Sequence, residues 1–305
     1  MFFANMGTNN EPKFYSQCDK CRLTVSTSSE FLRGKIAECV GDFFIRTNFG
    51  SRQSKGYGSF SVLTSHPRTS VHSSELLFFT VSGDCDTLFE EMEWFHKAIR
   101  GGINDCFGSK LYFKSLMFSY AKSKSQQWEK KTIKLRYYPR ILQEQKDMHG
   151  NSDLLVFKDD TFSREERYYS FRDCLGLSSL EQWKIPYNKT IKKESNIIER
   201  FKSPITFKPV YIEREKKWKV YVLWQELPTD YLGSKFTVTS NDVGDLELTI
   251  PTDFKIKDYF DYIFKRKDDG TYNIDISSLF LVKDNVKKMK EIIRIFDELR
   301  NNYNR

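Results

Sequence analysis

The residues best suited to chemistry stand in one short run, Gly50 to Gly58, reading GSRQSKGYG. Gly50, Gly56 and Gly58 let backbone N–H groups approach an anion closely, because no Cβ stands in the way. Arg52 and Lys55 add positive charge, Ser51 and Ser54 add hydroxyl donors, and Tyr57 adds a flat ring. This combination suits phosphate. It is not a Walker loop, which needs a GKS or GKT sequence opening a helix, and it is not GxGxxG. The bland alternative is a plain connection between a helix and a strand.

A second candidate is defined by charge. The chain carries a formal net charge of +8, and between Ser109 and Arg140 nine cations face the single acid Glu129. That segment equals the whole formal excess, so the charge is concentrated, and concentrated positive charge points to a polyanion. Its cations include Lys122, Lys124, Lys130, Lys131, Lys134 and Arg136, interleaved with Tyr112, Phe113, Phe118, Tyr120, Trp128, Tyr137 and Tyr138. An aromatic ring stacking on a nucleobase contributes roughly 1 to 3 kcal/mol, and cations follow the backbone. Alternate aromatics on a strand usually face a core, which leaves two or three to touch nucleic acid, with Trp128 and Tyr137 the candidates.

Other reactive side chains carry weaker signals. Of the four histidines, His66 and His72 follow the glycine-rich run and are the weak candidates for acid or base catalysis, while His96 lies within a helical pattern and His149 is isolated. Cys18 and Cys21 have the spacing of half a zinc site, but no second pair lies nearby, so no metal is expected. The six cysteines are too sparse for a disulfide framework, and reduced thiols fit them best. No organic cofactor is expected either.

These residues need elements to position them. Arg22–Thr27 alternates apolar and polar like a strand, and Ser28, Ser29 and Glu30 open a helix whose apolar residues recur every three or four positions to Phe44. The glycine-rich run follows, then a strand through Phe60 and Val62. Glu75–Val81 reads as a buried strand and Asp84–Ile99 as a capped helix closed by Gly101 and Gly102. LYFKSLMFSYAKS and KKTIKLRYYPRI read as a basic hairpin of two strands. Short helices are predicted over 163–175 and 189–200. Strand composition returns at Ile205–Val210, Lys219–Glu226 and Lys235–Thr239, and amphipathic helices at Phe254–Lys265 and Lys283–Tyr303. With 39% hydrophobic and 15% aromatic residues the chain can bury a core despite 30% charged residues. No apolar run is long enough to cross a membrane, the opening lacks signal-peptide order, and a cytoplasmic protein is expected.

The strand, helix and G-[ST]-R-x-x-[KR]-G-[FY]-G-S loop resemble the glycine-rich loop of the RAMP superfamily, the RNA-binding proteins of CRISPR systems. Two later segments, RDCLGL at Arg172–Leu177 and RFKSPITFKP at Arg200–Pro209, are similar to segments of RAMP subunits in type III effector complexes and occur in the same order. The resemblance spans about half the chain. It implies an α+β fold of ferredoxin-like domains, antiparallel sheets with helices on one face, and backbone binding by Gly50, Arg52, Lys55, Gly56, Tyr57 and Gly58. It also implies guide or target RNA and other subunits of a CRISPR complex as partners, in antiviral defence. The corresponding division is residues 1–74, a partial unit carrying the loop, and 75–305, a second domain carrying the basic hairpin. The first unit looks incomplete, because the twenty residues before Arg22 cannot supply a strand, a helix and a strand. A non-catalytic RNA-binding subunit is the leading expectation; a metal-independent endoribonuclease using His66 or His72, and a structural scaffold, are the alternatives.

Overall fold

The computed structural model describes residues 21–62, 76–105, 110–130, 132–133, 168–178, 180–183, 189–195, 198–240 and 243–304. Over these residues it is an α+β protein with several antiparallel sheets, consistent with a ferredoxin-like fold. One sheet has the order β1 (Phe78–Val81), β7 (Lys217–Trp224), β6 (Ile205–Ile212). Alternate residues Phe79, Phe207, Val220 and Val222 turn to its covered face and are buried. Two helices cover that face. One is α2 (Cys85–Arg100), which begins where Asp84 accepts the Thr87 N–H at 2.9 Å and buries Leu88, Met92, Phe95 and Ile99 on one stripe. The other is α5 (Val286–Tyr303). Phe95 stands at the centre, 5.7 Å from Phe79, 5.9 Å from Phe207 and 5.4 Å from Phe296 between ring centroids.

Both edges of this sheet are closed by side chains or loops, which removes the hazard of an open edge. Along β1, three α5 residues spaced by four satisfy the outward backbone groups. Arg294 donates to Thr80 O at 2.7 Å, Glu298 accepts from Thr80 N at 2.7 Å, and Asn302 donates to Phe78 O at 2.8 Å. Along β6 the glycine-rich loop does the same work, described below.

A second sheet has the order β10 (Phe280–Lys283), β3 (Leu111–Phe113), β2 (Ile103–Asp105), and a third the order β4 (Leu180–Trp183), β5 (Lys189–Glu194), β8 (Lys235–Ser240), β9 (Val243–Thr249). Ile133, Ile191, Val238, Leu246 and Leu248 form a small core against the third sheet. The remaining helices are α1 (Glu30–Arg46), α3 (Leu116–Ser123) and α4 (Ile256–Phe264).

Four expectations are corrected. The basic hairpin does not form as drawn: β3 ends at Phe113, and Ser115 then caps α3 by accepting the Phe118 N–H at 2.9 Å. Leu116, Met117, Phe118, Tyr120 and Ala121 are all buried, the polar side of Ser119, Lys122 and Ser123 is too short to mark a helical period, and the aromatic composition imitates a strand. The second half of the expected hairpin, from residue 134, lies outside the described residues. The helix predicted over 189–200 is instead β5, which pairs with β4 and β8. Lys193 occupies a buried position there, and a charge on the inner face hides the two-residue alternation of a strand. Of the helix over 163–175, a single 3-10 turn at Arg172–Leu175 is present and residues 163–167 are outside the described set. Finally, Arg22–Thr27 and Phe60–Val62 join no ladder among the described residues.

Candidate nucleic-acid interface

The glycine-rich loop is held by its own backbone and by β6. Lys55 N donates to Arg52 O at 2.9 Å and Gly56 N to Gln53 O at 3.2 Å, so the run is two overlapping turns. Gly50, Gly56 and Gly58 all have positive φ. At Gly58 the requirement is steric as well: a Cβ would stand 1.8 Å from Phe49 O. The loop then lies along β6. Phe207 N donates to Ser54 O at 3.2 Å, Ser59 Oγ donates to Pro209 O at 2.6 Å, and buried Asn48 ties the two together by donating to Gln53 O and Phe207 O, both at 2.7 Å. Lys208 reaches the loop's two stems, donating to Thr47 O at 3.0 Å and Phe60 O at 2.6 Å, and burial pushes its ammonium down to about 8. Tyr57 stacks on Phe89 with centroids 4.6 Å apart, which covers one face of its ring.

The three segments that resemble RAMP subunits come together here. Leu177 N donates to Phe201 O at 2.9 Å, joining RDCLGL to RFKSPITFKP, and the latter runs directly into β6 beneath the loop. Gly176, at φ +118°, lets the two backbones approach, since a Cβ there would meet Ser203 N at 3.3 Å. Lys202 Nζ donates to Gln53 Oε1 at 3.3 Å, a direct bridge from the third segment to the loop.

Cations converge as a result. Burial holds the Lys55 ammonium below the usual lysine range; repulsion from Arg52 adds to this, Glu93 opposes it, and Arg100 and Arg200 repel further. Arg52 and Lys55, both within the loop, are therefore accompanied by like charge from Arg100 and Arg200. Arg52 itself takes φ 58°, a left-handed conformation that costs a side-chain-bearing residue about 1 to 2 kcal/mol. Strain retained at such a place is typical of a binding site. His96, the sole histidine among the described residues, lies beneath, its ring 6.3 Å from that of Phe207. Burial, then Arg100, Lys55 and Lys97, push its imidazole down to about 3, so it stays neutral and is a poor base.

Arg100 is positioned from behind by a buried charge network. Its Nη2 donates to Gly176 O at 2.6 Å and lies 3.7 Å from Asp173 Oδ1. Asp173 accepts from Lys193 at 2.6 Å and from Ser170 at 2.5 Å; Lys193 also reaches Glu181 at 3.0 Å. Arg172 closes the network on Glu129 at 3.1 Å and Glu181 at 2.8 Å. Against the cost of burial, Glu181, Asp173 and Glu129 keep Arg172 charged.

The remaining sequence candidates are placed as follows. Ser51 is exposed in the loop, and Lys122 and Lys124 are exposed at the end of α3, where Lys124 sits 5.5 Å over the Tyr120 ring. Lys130 joins the buried network instead, and burial, then Arg172, bring its ammonium down to about 7. Phe113, Phe118, Tyr120 and Trp128 are core residues, Trp128 packing edge-on against Phe118 at 5.8 Å. Lys131, Lys134, Arg136, Tyr137, His66, His72 and Cys18 lie outside the described residues. Lys202, bonded to the loop, and Arg100 and Arg200, whose charges act on Lys55, were not singled out from sequence. For Arg200 and Lys202 the signal was present, because they stand inside the RFKSPITFKP segment; for Arg100, at the end of an ordinary amphipathic helix, there was none.

A family model of the Cmr1 N-terminal domain matches residues 1–103, and one of the Cmr1 C-terminal domain matches residues 112–291. No curated protein and no solved structure matches the chain.

Proposed function

The chain belongs to the Cmr1 family, RAMP subunits of type III-B CRISPR complexes, and on that premise we propose that it grips the sugar-phosphate backbone of guide or target RNA at the glycine-rich loop. The observation that carries this reading is the loop's own geometry, with Gly50, Arg52, Gly56 and Gly58 at positive φ, Arg52 and Lys55 within it, and Lys202 tied to it through Gln53. Backbone amides and hydroxyls of Gly50–Gly58 meet phosphate oxygens, and the surrounding cations neutralise their charge. Contacts of this kind position a nucleic acid and carry no sequence information. Specificity then rests with base pairing to the guide.

Lys122 and Lys124 extend the basic surface as a secondary contact. Their loss is expected to weaken binding less than loss of the loop cations.

Photo-crosslinking tests the placement. Single-stranded RNA carrying 4-thiouridine is irradiated with the purified protein and the adducts are mapped by mass spectrometry. Adducts on peptides covering 50–58 and 200–208 are expected. Adducts confined to other peptides would reject the loop as the grip.

A further inference from the structure

The first twenty-odd described residues do not pack like the rest of the protein. Of the ten large apolar residues exposed among the described residues, Leu23, Val25, Phe31, Leu32, Ile36 and Phe43 fall between Leu23 and the end of α1. Phe31 is 72% exposed and Leu23 64%. Helix α1 buries only Gly41 and Ile45, both in its second half, so its first half projects into solvent. Most helical stability in proteins comes from packing an apolar face, which the first half of α1 leaves exposed. Its apolar residues nevertheless keep order: Leu32, Ile36, Val40 and Phe43 recur at intervals of four and three and form one stripe. The stripe ends at an aromatic group in which Phe43 lies 5.9 Å from Phe49 and Phe49 lies 5.9 Å from Phe60.

The segment before α1 has a matching pattern. Leu23, Val25 and Thr27 alternate with Arg22, Thr24 and Ser26, as on a strand, yet residues 22–27 belong to no ladder among the described residues. A strand-patterned segment and the apolar stripe of the helix after it are two of the parts of a sheet-and-helix layer, and among the described residues no sheet pairs with this segment.

Charge decides between classes of partner. Helix α1 carries three acids, Glu30, Glu38 and Asp42, and three bases, Arg33, Lys35 and Arg46. A neutral, apolar surface is a poor match for RNA or for an anionic membrane, both of which call for excess Lys and Arg. It matches a protein interface, whose core is depleted in charge and rich in aromatics.

We propose that residues 22–43 form a docking arm for a neighbouring protein subunit: 22–27 adds as a strand to an open edge of that subunit's antiparallel sheet, and α1 lays Leu32, Ile36, Val40 and Phe43 over the adjoining apolar face. Strand addition supplies backbone hydrogen bonds and the alternate side chains supply fit. The arm adjoins the loop through Phe43, Phe49 and Phe60, so the docked subunit stands beside the grip on RNA. This inference rests on membership of the family and not on RNA binding by the loop.

The test is reconstitution of the complete type III complex from purified subunits and guide RNA, with wild-type chain, a Leu32→Asp, Ile36→Asp double variant, and Val25→Pro. All three positions are surface residues, and circular dichroism confirms that each variant folds. Binding of each to free single-stranded RNA is measured separately. Wild-type chain is expected to enter the complex with slowed hydrogen exchange at amides 22–27. Each variant is expected to lose roughly ten-fold or more in affinity for the complex, the weight of about 1.4 kcal/mol, while keeping its RNA affinity. Variants that assemble like wild type, or amides 22–27 that exchange equally fast in the complex, would overturn the proposal. So would light scattering showing that the arm serves to pair two copies of this chain, or loss of RNA affinity in both variants.

Discussion

Replacing Gly58 with Ala separates the loop's shape from its charge. At φ +67° a side chain already costs about 1 to 2 kcal/mol. The added Cβ would also stand 1.8 Å from Phe49 O and 2.7 Å from Phe49 C, and both are backbone atoms that no rotamer change can move aside. Relief requires the two strands of the loop's neck to part, which breaks the 2.9 Å hydrogen bond from Phe49 N to Gly58 O, a further loss of about 1 kcal/mol. A total of about 2 to 3 kcal/mol is enough to open a loop locally, but not a domain stabilised by roughly 5 to 15 kcal/mol. Gly50 is the internal control. Its φ is +76° but nothing lies within 4 Å of the added Cβ, so Gly50→Ala should cost only about 1 kcal/mol. Hydrogen exchange at Lys55 and Gly56, thermal melting and single-stranded RNA binding read the difference. Gly58→Ala should lose loop protection and bind RNA roughly ten-fold more weakly, with a melting point a few degrees lower. Gly50→Ala should resemble wild type. Equal effects of the two substitutions, or intact binding in Gly58→Ala, would refute the reasoning.

Three further outcomes are expected. Arg52→Gly relieves the left-handed strain at φ 58°, so the loop should gain about 1 kcal/mol in local stability while RNA affinity falls; hydrogen exchange and binding measured together check this opposition. Glu91 is packed against Arg294 at 2.5 Å, but burial outweighs that partner and pushes its carboxyl up to about 7. Because the native state holds this proton more tightly than the unfolded chain, its stabilising effect is full below about pH 4.5 and is lost as pH rises through about 7. Glu91→Gln should therefore match wild type near pH 4.5 and exceed it by up to about 3 kcal/mol at pH 8 in denaturant titrations, at about 1.4 kcal/mol per pH unit. Lys193→Met leaves Asp173 and Glu181 buried without their shared cation and should cost about 3 to 5 kcal/mol by the same titration.

How much of this was legible in the sequence depended on whether charge and apolarity kept their expected sides. Helices α2, α4 and α5 each present one apolar face and their periods read directly, while strands β6 and β7, with consecutive residues buried, read from their β-branched and aromatic composition. Strand β5 was hidden because Lys193 points inward, into the network around Asp173 and Glu181, so that a buried position carries a charge. Helix α3 was hidden for another reason: five of its eight residues are buried, and a polar side of Ser119, Lys122 and Ser123 is too short to mark a period. The glycine-rich loop could be read locally, because three glycines with positive φ in nine residues leave a compositional mark. The rest of the site is long-range. Phe207 pairs with Lys55 across about 150 residues, and only the resemblance of Arg200–Pro209 to RAMP subunits hinted at that meeting. Arg100 reaches the site through tertiary contact alone, by way of Gly176 and Asp173.

The central claim is that the loop cations neutralise RNA phosphates. The most direct measurement is the affinity for single-stranded RNA across a salt series, for wild type and for an Arg52→Ala, Lys55→Ala, Arg200→Ala variant. On single strands each neutralised phosphate contributes about −0.7 to the slope of log affinity against log salt. The account predicts weaker binding by the variant and a slope flatter by about 2, the share of three cations. Unchanged affinity and slope would contradict it, and would move the grip away from Gly50–Gly58.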